Sequence, residues 1–200
     1  MQRIEFIGVR GGHGTTTVAL AAAATLATRG PTRLATHDRR SLCATAGIAH
    51  DGLPIPLAEN LDLADGLNGD VLDAGTLESY LDEVPFPDFC CVRRDSALAP
   101  LRIAVLRGPD YVGLRTLCGH PEAQIDGLVV VSEPGRALDA RDVEHVSGRP
   151  VVAVIDHTPV VARTLDAGLF LSRLERLREF TQLRNWIAQI APQEASCAAS

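Results

Sequence analysis

The 200-residue chain contains no lysine: all 19 of its basic residues are arginine. No ammonium side chain is therefore available to neutralise a bound anion, and that task falls to arginine or to protonated histidine. An excess of positive charge is also missing. The formal net charge is −6, which argues against nucleic-acid binding as a default role. No apolar run approaches the roughly 20 residues of a membrane-spanning helix. The N-terminus enters a strand pattern directly, so no signal peptide is expected and the protein is expected to be cytoplasmic. Five cysteines, Cys43, Cys90, Cys91, Cys118 and Cys197, are odd in number and lack metal-ligand spacing. They are expected to be reduced thiols. The adjacent Cys90 and Cys91 read as buried apolar filler, with a redox or metal pair as the alternative.

What is present is the composition of a globular protein, 46% hydrophobic and 22% charged. The length fits one domain with a substantial core. "RIEFIGV" is a short β-type run, and "TTTVALAAAATLATRG" is helical up to Gly30 and Pro31, a normal stop signal. Residues 32–38, "TRLATHD", suggest a second strand, and "GDVLDAGTL" holds a brief apolar run expected to end in Asp73 and a turn, with the carboxylate at the C-terminal end of an inner strand. "LRIAVLRGPDYVGLRTLCG" reads strand, turn, helix, and residues 125–169 read strand, helix, strand, helix. Strands alternating with helices imply βαβ units and a mostly parallel sheet covered on both faces. Residues 84–100 are the least regular stretch and read as a long connection.

"GVRGGHGTTT" places three glycines between a strand and a helix. Gly11, Gly12 and Gly14 let the backbone curl so that successive N–H groups face one point. The helix starting near Thr15 adds its positive end. Such a loop can hold an anion through backbone alone; the alternative is a tight turn with no ligand.

"RGGHGTTT" resembles the deviant Walker A motif of the ParA/MinD family of P-loop ATPases, usually K-G-G-x-G-K-[ST]-[ST]. The resemblance continues in "DVLDAG", similar to a short Walker B, and in "RPVVAVIDHTPVVARTLDAGL", similar to the family's last core strand and following helix. It implies a three-layer α/β/α, doubly wound P-loop NTPase fold over residues 1–200, ATP or ADP with Mg²⁺ as cofactors, and a homodimer. Under that resemblance Arg10 takes the place of the signature lysine that reaches a partner's nucleotide. Thr16 takes the Mg²⁺-ligating hydroxyl, with Asp73 as the Walker B carboxylate. Thr17 lies near the α-phosphate. Base contacts are implied at the ends of the last two strands, around Ser132 and Asp156.

The departures from the motif are informative. Thr15 stands where the family has its invariant lysine, which pairs with the β- and γ-phosphates. A neutral hydrogen bond in place of a charge-assisted one loses about 1–2 kcal/mol, or roughly 5- to 30-fold in affinity. Transition-state stabilisation suffers more than ground-state binding. Arg10 is the one permanent cation within the loop. His13 is either a phosphate donor or a solvent-exposed loop residue. After the second strand the family carries an aspartate pair; here only Asp38 is present, either positioning water or Mg²⁺ or capping a helix.

"SRLERLREFTQLRNWIAQI", residues 172–190, reads as an amphipathic helix. Its apolar stripe is expected to pack on the sheet, with a membrane surface as the disfavoured alternative. The expected function is that of a degenerate ParA/MinD-like protein. It binds adenine nucleotide weakly, is a slow ATPase at best, and dimerises around nucleotide to position or segregate an unidentified cargo or protein partner. DNA is a possible cargo but not the favoured one. The alternative is a pseudo-ATPase acting as an interaction module.

Overall fold

The computed structural model describes residues 3–49, 55–64, 69–83, 100–108 and 111–191. The Cys90 and Cys91 pair, Cys197, and the connection expected over 84–100, save Pro100, lie outside these residues. Among the described residues Cys43 is a buried free thiol and Cys118 an exposed one. Burial pushes the Cys43 thiol above its ordinary value.

Eight strands form one sheet in the order β3-β4-β2-β5-β1-β6-β7-β8. They are β1 (Ile4–Gly8), β2 (Thr32–Thr36), β3 (Ile55–Ala58), β4 (Leu61–Leu63), β5 (Val71–Thr76), β6 (Leu101–Arg107), β7 (Gly127–Ser132) and β8 (Val151–Asp156). Only the β3–β4 pairing is antiparallel; the other neighbours run parallel. The central strand β1 is buried along its whole length. That matches its near-continuous apolar sequence, because a parallel strand covered on both faces has no polar side.

Helices cover both faces. The helices α1 (Thr15–Ala27), α2 (Arg39–Ala46) and α6 (Pro159–Asp166) share one apolar core with the C-terminal segment. The helices α3 (Leu77–Glu83), α4 (Tyr111–Gly119) and α5 (Ala140–Ser147) pack on the other side. This is the three-layer, doubly wound, mostly parallel P-loop NTPase architecture. α1 is buried nearly all round. Its fully buried alanines, Ala19, Ala21, Ala22 and Ala23, let it lie close to the sheet and to its helical neighbours.

Two elements differ from the sequence-based expectation. The β3–β4 hairpin, which turns through Asn60 at φ 59°, was not foreseen. Residues 172–190 do not form one helix. A short α7 (Phe170–Arg173) leads into 3₁₀ turns at Leu174–Arg176 and Arg178–Phe180, and only then into α8 (Thr181–Ile190). The physical reason is the spacing of the apolar residues. Leu174, Leu177, Phe180 and Leu183 recur every three residues and are all buried; three residues per turn is the 3₁₀ period, not the α period. Leu177 itself is extended, at φ −81° and ψ 97°. Arg184 donates to the carbonyls of Leu174 and Glu175 at 3.3 and 2.8 Å, tying the broken segment together. Its apolar stripe packs into the core beside α1. No helix among the described residues is long and apolar enough to cross a membrane.

Candidate functional site

The loop between β1 and α1 lies at the C-terminal end of the central strand, where open α/β sheets bind ligands. Gly12 and Gly14 have φ of 79° and 85°. L side chains rarely adopt this left-handed region, so glycine is required at both turns. Gly14 caps α1 without any side-chain hydrogen bond, and no acidic residue occupies the first turn. The N–H groups of that turn thus keep their positive field directed at the loop. Val9 donates to the Val105 carbonyl at 3.0 Å, fastening the start of the loop to β6.

His13 is a correction to the solvent-exposed option. It is buried, 7% exposed, and its Nδ1 lies 3.3 Å from the Val105 carbonyl. A carbonyl oxygen only accepts, so Nδ1 carries the proton of this bond. The same strand carbonyl therefore anchors the loop at Val9 and at His13. Thr15 is buried, and its hydroxyl is turned back against the end of β1: a Cβ added to Gly8 would overlap the Thr15 Oγ1. Arg10 and Gly11 are exposed.

Thr16 opens a polar network. Its hydroxyl donates to Asp73 Oδ2 at 2.7 Å. The Thr36 hydroxyl, at the end of β2, donates to the same oxygen at 3.0 Å. The Gly75 N–H lies 3.3 Å from Oδ1, and the Asp38 N–H donates to the Thr36 hydroxyl at 3.0 Å. Asp73 is 3% exposed, and these donors satisfy a carboxylate that burial would otherwise penalise. It sits within β5, paired with Phe6 of β1 and Thr36 of β2, rather than at the strand's end. Thr36 was missed from sequence; a lone threonine at a strand end carries no signal of its partner.

A hydroxyl and a carboxylate held side by side fit the oxygen-only donor set of Mg²⁺. Among the described residues no group of three or more His, Cys, Asp or Glu forms a metal site. Thr16 and Asp73 would hold the ion with phosphate oxygens completing the shell, and such an ion neutralises phosphate charge. Asp38 caps α2, accepting from the Ser41 N–H at 3.0 Å and the Ser41 hydroxyl at 2.5 Å. These bonds, the hydroxyl first, hold its carboxyl below the ordinary range.

A cavity of about 120 Å³ opens beside the loop, lined by His13, Gly14 and Thr17 on one side and by Val131, Ile155 and His157 on another. Ser132 and Asp156 are register partners at the ends of β7 and β8, and neither lines this cavity. Their neighbours do, because successive strand residues face opposite sides of the sheet. Thr17 joins the cavity wall.

Arg107, the last residue of β6, is a second cation that sequence reading did not single out. Its Nη1 lies 3.5 Å from the Gly12 carbonyl, and its Nε donates to Glu133 Oε1 at 2.8 Å. It also lines the cavity.

The loop, the uncapped helix and the sheet order together define a P-loop NTPase fold. Solved structures similar to it include ParA and MinD proteins, in line with the resemblance carried by "RGGHGTTT". A ParA family ATPase from Chlorobium tepidum TLS superposes with a TM-score of 0.61 at 13% identity, covering 95% of this chain and 100% of that one. The septum site-determining protein MinD of Pyrococcus horikoshii, complexed with Mg-ADP, gives 0.63 at 16% identity, covering 94% and 95%. The MinD cell division protein of Aquifex aeolicus gives 0.66 at 14% identity, covering 94% and 96%. No protein-family model and no curated protein matches the chain in sequence.

Proposed function

We propose that this chain binds an adenine nucleotide with Mg²⁺ in the loop formed by Arg10, Gly11, Gly12, His13, Gly14, Thr15, Thr16 and Thr17. The observation that carries this reading is the uncapped N-terminus of α1 set directly beside the Thr16–Asp73 pair. Binding is weak and hydrolysis slow or absent, because Thr15 offers no charge to the phosphates. Arg10, exposed at the mouth of the loop, reaches the nucleotide of a second copy, so that dimerisation depends on ATP. The nucleotide-linked dimer positions or segregates a cargo in the cytoplasm, and the chain works as one domain. MinD of Aquifex aeolicus has been solved in complex with MinC, which supports a protein partner in preference to DNA for this acidic chain.

A second reading is a non-catalytic interaction module, favoured by a buried, neutral Thr15 whose hydroxyl lies close against Gly8. Calorimetry with ATP and ADP, with and without Mg²⁺, separates the two. Measurable Mg²⁺-dependent binding supports the nucleotide site; no heat at millimolar ATP leaves the interaction module. Light scattering of Arg10→Ala with and without ATP then tests the dimer: loss of ATP-dependent mass is expected, and unchanged assembly would remove Arg10 from that role.

A further inference from the structure

We propose that Arg107, at the end of β6, supplies the positive charge that the loop lacks at Thr15, by exchanging Glu133 for the phosphate oxygens of the bound nucleotide. This inference rests on the nucleotide-site reading above.

The register brings Arg107 to the loop. β6 lies beside β1, with Gly8 opposite Val105. Arg107 is two residues further on, past the carbonyl that holds Val9 and His13. Arg107 borders the same cavity as His13, Gly14 and Thr17. Its contact with the Gly12 carbonyl, at 3.5 Å, is at the outer limit of a hydrogen bond and is lost at little cost.

Glu133 makes the exchange feasible. One of its oxygens, Oε1, takes Arg107; the other, Oε2, takes Arg136 through Nε at 3.0 Å and Nη2 at 2.6 Å. When Arg107 swings to phosphate, Glu133 keeps two donors from Arg136 and is not left unpaired. Arg136 first and Arg107 second hold the Glu133 carboxyl below its ordinary range, so it stays ionised near neutral pH. The Arg107–Glu133–Arg136 cluster carries one positive charge in excess, next to the anion site. An arginine fork suits phosphate better than any neutral group in the loop.

The test is titration of Mg-ATP into the full-length wild type, Arg107→Ala and Arg107→Lys at several salt concentrations. The Arg107 side chain is 36% exposed, so both variants are expected to fold, and thermal melts check this. The alanine variant should bind Mg-ATP roughly tenfold or more weakly. Its affinity should also depend less on salt, because an exposed cation–phosphate contact is gone. The lysine variant should recover most of both. Wild-type affinity in the alanine variant overturns the proposal. So does a weakening whose salt dependence is unchanged, or a lysine variant as weak as alanine, since either makes Arg107 a shape residue. Failure of the wild type to bind Mg-ATP overturns the nucleotide site itself, an outcome distinct from these three.

Discussion

The Thr16 hydroxyl donates to the Asp73 carboxylate at 2.7 Å, joining the first turn of α1 to β5 across 57 positions of sequence. Thr36 completes the pair from β2. The carboxylate is thus held by two hydroxyls, from α1 and from β2. Thr16→Ala should remove the effect of Mg²⁺ on nucleotide affinity, measured by calorimetry with and without EDTA. Thr36→Val leaves the loop intact but deprives a buried carboxylate of a donor. It should cost roughly 1–3 kcal/mol of stability in denaturant titration.

Thr15→Lys restores charge at the loop. If Thr16 and Asp73 hold Mg²⁺ as proposed, ATP affinity should rise roughly 5- to 30-fold, and any ATPase rate should rise with it. The longer side chain has to leave the space against Gly8 and enter the cradle. No gain in either quantity would mean that the cradle does not receive phosphates.

The C-terminal segment is core. Phe180 is buried and meets Phe170 edge-to-face, with ring centroids 5.2 Å apart at 69°. Phe180→Ala should destabilise the protein by about 3–5 kcal/mol, measured by chemical denaturation. A loss under 1 kcal/mol would show that this segment is not part of the cooperative unit.

Tyr80 predicts an alkaline limit to stability. Its hydroxyl donates to Glu5 Oε2 at 3.0 Å and accepts from Arg102 Nε at 2.9 Å. Burial first, and the Glu5 charge second, push its phenol up to about 12. The folded state therefore holds this proton more tightly than the unfolded one. The resulting stability is fully present below the ordinary phenol value of about 10 and is lost as pH rises towards 12. Denaturation midpoints measured from pH 9 to 12 should fall across that window, and Tyr80→Phe should flatten the fall.

Much of the fold was legible because its signals are local. The alternation of apolar strands with helical runs, the glycines at 11, 12 and 14, and the stop at Gly30 and Pro31 act over a few residues, through backbone sterics and burial period. They determined a mostly parallel α/β sheet and the place of its glycine-rich loop. Tertiary structure alone decided the rest. The period-three spacing of Leu174, Leu177 and Phe180 became 3₁₀ turns only because all three had a core to enter beside α1. His13 became a buried anchor only because the Val105 carbonyl lies across from it. At the ends of β7 and β8, Val131 and Ile155 turned to the cavity while Ser132 and Asp156 did not, since the face a strand residue takes is set by what packs over it. Arg107 and Thr36 gained their places beside the loop through strand register. Register joins residues far apart in the chain, and a strand's own sequence does not specify its neighbour.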